Sequence, residues 1–190
     1  MYFKIEHQIL HFTIHFTLGF ACLIAGVTSA AAESVAYNST LDVSYATESN
    51  SDSDLQSLDV YWQDKKQKLP VIVYVHGGGW AFGDKSDVHQ KPDYFLSQGL
   101  AVVSMNYRLR WDNTVLDQVE DVVKVIQWVQ KNATTYGLDP NSIILMGHAA
   151  GAHLVSLAAT NQSYLKSAGL DLQAIRAVVA IDTVSFDINR

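Results

Sequence analysis

The stretch "MGHAAGAHL", Met146 to Leu154, decides how this chain is read. It overlaps the end of "SIILM" (142–146), an apolar run of the kind found in strands covered on both faces. It leads into Gly151 to Ala159, a segment composed like a helix. A strand that turns abruptly into a helix needs small residues at the bend, because side chains there would collide. Gly147 and Gly151 sit at such positions, four apart, with Ala149 midway between them.

The same alternation extends in both directions. "VIVYV" (71–75), "LAVVSMNY" (100–107) and "IRAVVAI" (175–181) are further apolar strands, the last one apolar on both faces and therefore expected to have neighbours on each side. Between them lie helical segments. One covers Asp93 to Gln98 and stops at Gly99. A longer one carries Val115, Val119, Val122, Val123, Ile126 and Val129 at helical spacing, capped by Asn113 or Thr114. Asp117, Glu120 and Asp121 occupy its first half, where the helix dipole favours acids. "STLDVSYA" (39–46) and "QSLDVYW" (56–62) alternate polar with apolar residues and read as an antiparallel edge, joined by the polar loop 47–54. Strands alternating with helices predict an α/β fold, a mostly parallel sheet with helices on both faces. In such sheets ligands bind at the carboxyl ends of the strands.

A second turn lies at such an end. "VIVYVHGGGWAFGDKS" (71–86) places three glycines after a strand, so that backbone N–H groups can converge on a ligand oxygen. The dinucleotide pattern fails, because Phe82 stands where its third glycine is needed. The phosphate-loop pattern fails, because Asp84 is inserted before Lys85 and puts an anion where phosphate should sit. The oxyanion hole of acyl-transfer enzymes fits without correction. In that chemistry the strand–turn–helix of Met146 to Leu154 is the nucleophile elbow, and the residue after the nucleophile donates an N–H to the oxyanion. Gly78, Gly79 and Ala150 are the candidate donors, and Ala149 holds a methyl group where an attacking oxygen belongs.

The run of "HGGGWAFGDKS", "SMNYRL", "DQVEDVVKVIQWV", "YGLDPNSIILMGHAAGAHL" and "VVAIDTVSFDI" resembles α/β-hydrolases of the carboxylesterase type over roughly Leu41 to Ile188. It looks closest to esterases grouped with feruloyl and acetyl-xylan esterases and kynurenine formamidase. The resemblance implies hydrolysis of a small-molecule ester or aryl amide through a Ser-His-Asp triad, with no metal or cofactor. It places the acid and histidine, and further strands, beyond Arg190, so that 33–190 would be a partial hydrolase domain. The chain is therefore expected to be inactive, and a serine restored at 149 is expected not to rescue it. The alternative is a pseudoenzyme that binds a carboxylate or ester without cleaving it.

The other histidines do not fill the vacancy. His76 opens the oxyanion loop and is expected to brace it. His148 should point away from the attacked carbonyl, and His153 should be packed or bonded to backbone. His89 reads as surface. His76, Trp80 and His148 are the candidate substrate contacts, and Trp80, Phe82 and Trp111 suit either an aromatic wall or the core. Asp182 and Asp187 read as structural or site-shaping.

Composition bounds the remaining classes. Hydrophobic residues make up 48% of 190, which supports a packed core. A net charge of −6 with no basic stripe argues against nucleic acid. At the N-terminus, Lys4 precedes the apolar run 13–27, and Ala30-Ala31-Ala32 follows it. Residues 1–32 read as a secretory signal peptide cut near Glu33, giving a secreted or periplasmic protein without a membrane span. An uncleaved anchor is the alternative, although the run is short for a span. Cys22, the only cysteine, and the helically spaced His7, His11 and His15 fall inside this segment, so no thiol, disulfide or metal site is expected in the mature chain.

Overall fold

A computed structural model describes residues 36–46 and 52–183. The expected signal segment, the loop 47–51 and Asp187 lie outside the described residues. Among the described residues six strands form one sheet in the order β1-β2-β4-β3-β5-β6. β1 (Asn38–Ser44) and β2 (Ser57–Trp62) are the antiparallel edge read from their alternation. β3 (Leu69–Val75), β4 (Ala101–Met105), β5 (Leu138–His148) and β6 (Ile175–Ile181) run parallel to one another. Among the described residues no helix is long and apolar enough to cross a membrane.

The central strands are buried on both faces, as their unbroken apolar runs require. Along β3, Val71, Val73 and Val75 enter one core cluster while Ile72 and Tyr74 enter the other. The larger cluster is closed by α2 (Val115–Asn132), α3 (Ala150–Thr160) and α4 (Gln162–Ser167), the smaller by α1 (Lys91–Ser97). α2 begins at Thr114, whose hydroxyl accepts from the Asp117 N–H while the Asp117 carboxylate accepts from the Thr114 N–H, a capping box. It turns Val119, Val122, Ile126 and Val129 inward, and Ile126→Ala alone would cost about 2–5 kcal/mol.

"IRAVVAI", a strand composed for neighbours on each side, stands here as an open edge: β6 pairs only with β5 among the described residues, and Val178 and Ile181 are exposed. Apolar composition on both faces marks a strand suited to a covered position and cannot report whether the cover is there. Asp121 lies in the first half of α2, as expected, and has a further role. It is fully buried and accepts from the Arg108 N–H and Nε (both 2.9 Å) and from Gln56 Nε2 (2.9 Å). The helix is thereby fastened to the end of β4.

Candidate active site

The two glycine turns lie side by side because their strands do. Val75 of β3 is in register with Gly147 of β5, so both chains leave the sheet at one edge. The approach is closer than any side chain permits. A Cβ on Gly151 would lie 2.1 Å from the Val75 carbonyl oxygen, and one on Gly77 would lie 3.2 Å from the Ala149 methyl carbon. At Gly147 an added Cβ would meet the Gly151 carbonyl at 2.3 Å. These contacts explain the glycine frame around Ala149 in steric terms.

Ala149 has φ 49° and ψ −113°, a backbone region that L-residues seldom enter. Its N–H donates to the Ile181 carbonyl at 2.9 Å, which ties the bend to the end of β6. Directly after it, α3 begins at Ala150 without a side-chain cap. The Ala150 N–H therefore belongs to the unpaired donors of a helix start. Among the described residues the N–H groups of Gly78, Gly79 and Ala150 find no acceptor. They stand on the two adjoining turns with the positive end of α3 behind them, an arrangement suited to a negative oxygen.

The glycine loop is held from several sides. Gly78 (φ 114°) accepts from the N–H groups of Ala81 and Phe82, closing the turn. His76 is buried; its Nδ1–H donates to the Gly77 carbonyl at 2.7 Å, and its ring stacks on Tyr107 at 4.4 Å. Burial lowers its pKa, and the bond to Gly77 only partly offsets this, so the ring is a neutral brace. The Trp80 carbonyl accepts from Gln118 Nε2 (3.0 Å) and from the Arg110 N–H (2.8 Å), which holds Trp80 at φ 63°.

Lys85 shows why this is no phosphate loop. Its ammonium turns into the protein and pairs with Asp59 at 2.8 Å and Asp42 at 2.5 Å. Its backbone is gripped by Asn106 and Ser104 at 2.6 Å each. Burial opposes the charge, but the two carboxylates raise the lysine pKa. For Asp84 burial is again the opposing influence. Hydrogen bonds from Ser86 and Asn106, with the Lys85 charge, hold its pKa down at about 2. Sequence reasoning missed this anchor, although one signal was present: a carboxylate in mid-strand, Asp59 between Leu58 and Val60, calls for a buried cation.

The remaining candidates separate. Trp80 is half-buried and meets His153 edge to face at 5.5 Å. His153 Nδ1 has no hydrogen-bond partner, so that ring is packed and not bonded to backbone. Phe82 and Trp111 are exposed and contact each other at 5.7 Å, so core packing does not account for them. His148 is exposed and opens with His76, Gly77 and Gly78 on a cavity of about 560 Å³. His89 shares that cavity, and Asp182 is exposed at the end of β6. Among the described residues no cluster of histidine, cysteine and carboxylate suits a metal ion.

A parallel sheet with a strained strand–turn–helix bend and a glycine loop at the same edge defines a carboxylesterase-type α/β-hydrolase. The chain belongs to the BD-FAE family, whose model matches residues 58–184, about two thirds of its length. A probable isoprenylcysteine alpha-carbonyl methylesterase of Oryza sativa subsp. japonica is 34% identical, over 62% of this chain and 29% of that one. Carboxylesterase NlhH of Mycobacterium tuberculosis is 35% identical, over 53% of this chain and 32% of that one. Among solved structures, esterase B of Lactobacillus rhamnosis matches with TM-score 0.61 and 27% identity, covering 77% of this chain and 45% of that one. A truncated carbohydrate esterase from gut microbiota matches with TM-score 0.59 and 28% identity, over 67% of this chain and 45% of that one. The chain spans a third or less of the length of these curated relatives.

Proposed function

We propose that this chain keeps the carbonyl-binding half of a carboxylesterase site and lacks the bond-breaking half. The observation that carries the reading is Ala149: a methyl group at the strained apex of the bend, beside three N–H groups with no acceptor among the described residues. Acyl transfer by this class of fold begins with attack by an oxygen at that apex. Loss of such a nucleophile in a serine protease lowers turnover by about a millionfold, and oxyanion hole plus binding retain about 10³–10⁴ over water. The purified protein is expected to hydrolyse p-nitrophenyl acetate no faster than a heat-denatured sample. Sustained turnover above that level would overturn the reading.

A second reading follows from the same amides. N–H groups without an acceptor on two adjoining turns suit a carboxylate or an ester carbonyl without cleavage, and the site then serves a binding pseudoenzyme. Thermal-shift screening against small carboxylates and esters tests this, with stabilisation expected and a flat profile counting against it. For the N-terminus, the apolar run before Ala30-Ala31-Ala32 supports export with removal of residues 1–32. N-terminal sequencing of protein recovered outside the producing cell should then begin near Glu33.

A further inference from the structure

The cavity that His148 lines adjoins the glycine loop at His76, Gly77 and Gly78 and does not include Ala149, Ala150 or Trp80. Its walls carry Tyr74 from β3, Asp87 and His89 from the loop before α1, and Lys91 from the first turn of α1. The Lys91 ammonium lies 4.4 Å over the Tyr74 ring and makes one long bond, 3.4 Å, to the Val88 carbonyl. It makes no ion pair among the described residues. A half-buried ammonium with three donors and one weak acceptor is short of partners. Burial lowers its pKa, and Asp87 offsets this only in part. His89 has φ 49°, an uncommon conformation that persists only where surroundings impose it, and its exposed side chain lines the same cavity as His148.

We propose that this cavity, which adjoins the carbonyl cradle at Gly78, is a carboxylate-binding site with Lys91 as counter-ion and His89 and His148 as hydrogen-bond donors on its rim. The ammonium over Tyr74 gives the charge, and the imidazoles supply N–H groups in either protonation state. A volume of about 560 Å³ admits a small aromatic or aliphatic acid. The titratable groups facing the site are Tyr74, His76, Asp87, His89, Lys91 and His148. Asp87 is the one carboxylate among them. His76 is held as the loop's brace by its bond to Gly77, which leaves His89 and His148 as the imidazoles free to donate to an anion.

The test is calorimetric titration of the purified chain with benzoate, using benzamide as the uncharged control. Benzoate is expected to bind and benzamide not. Lys91→Met should weaken benzoate at least about fivefold, and Lys91→Arg should keep it within about twofold. Equal binding of benzamide or full affinity in Lys91→Met would each overturn the proposal. Carboxylate held by the cradle N–H groups alone would survive Lys91→Met, so that variant tells the ammonium's part from the cradle's. Ester turnover by the unmodified chain would overturn the vacant-nucleophile reading and leave this cavity untouched.

Discussion

Gly77 and Ala149 face each other where the two turns meet, and the gap between them is closed to any further atom: a Cβ on Gly77 would fall 3.2 Å from the Ala149 methyl carbon and 2.9 Å from His148 Nδ1. The candidate site is thus built from two backbones in contact, and its shape depends on glycine more than on any functional side chain.

That relationship ranks three substitutions. Gly151→Ala drives its methyl into the Val75 carbonyl at 2.1 Å and must push β3 and α3 apart. Gly77→Ala meets a movable imidazole first and should be milder. Gly79→Ala enters open space and bears only the cost of φ 60°. Urea denaturation should order them in that sequence, with Gly79→Ala near 1–2 kcal/mol and Gly151→Ala at about 3 kcal/mol or more. A Gly151→Ala variant as stable as the unmodified chain would contradict the packing of the two turns.

The ion pair under the glycine loop separates buried from exposed charge. Lys85 and Asp59 are nearly inaccessible, with 8% and 4% of their side-chain surfaces exposed, whereas Asp42 is 81% exposed. Lys85→Met strands a buried carboxylate and is expected to cost about 3–5 kcal/mol. Asp42→Asn should cost no more than about 1 kcal/mol. Because the lysine pKa is raised, its contribution is complete through neutral pH and disappears only as pH climbs past the ordinary lysine range. Equal losses in the two variants would show that Asp42, not Asp59, is the partner that matters.

Asp84 gives the opposite limb. Its carboxyl is held at about 2 against an ordinary 3.8, so its contribution is present above 3.8 and is lost as pH falls toward 2. In Asp84→Asn the denaturation midpoint should fall less steeply between about pH 4 and about pH 2 than in the unmodified chain. An unchanged slope would place the acid sensitivity elsewhere.

The order of strands and helices was legible because both signals are local. β-branched runs such as "VIVYV" report two-sided burial, and the valines of α2 recur at helical spacing. The glycine turns were legible for the same reason, since each lies within a few residues of its strand end. What escaped were partners distant in the chain. Gln118 holds the Trp80 carbonyl across 38 residues, and Lys85 reaches Asp42 across 43. Pattern reading placed Asp121 in the first half of its helix, and its partners Arg108 and Gln56 lie too far along the chain for a local pattern to show. Which aromatic residues line the surface was also beyond the sequence: Trp80 and Trp111 look alike in composition, and only packing shows the second to be exposed.

Gln118 offers a way to loosen the glycine loop without touching it. Its amide nitrogen donates to the carbonyls of Trp80 (3.0 Å) and Arg108 (2.8 Å), and the side chain is fully buried. Gln118→Leu keeps the bulk and leaves both carbonyls without that donor, at an expected cost of about 1–3 kcal/mol. The Trp80 carbonyl keeps the Arg110 N–H, so the loop should shift and not detach. Hydrogen exchange at Ala81 and Phe82, whose N–H groups donate to the Gly78 carbonyl, should speed up relative to the α2 core, which is a local effect that a general loss of stability does not produce.

Ala149 itself carries the last prediction. Its left-handed backbone, φ 49°, is imposed by the register of Gly147 with Val75, by the bond to Ile181 and by the start of α3. A side chain there works against the bend, and the strain grows with branching at Cβ. Ala149→Gly removes the last Cβ conflict but adds freedom to the unfolded chain, so stability should change by no more than about 1 kcal/mol in either direction. Ala149→Val must force a β-branched residue into a region it rarely enters and should lose about 2 kcal/mol or more. If valine were accepted as easily as glycine, the bend would not be strained, and the resemblance of this turn to a nucleophile elbow would lose its physical basis.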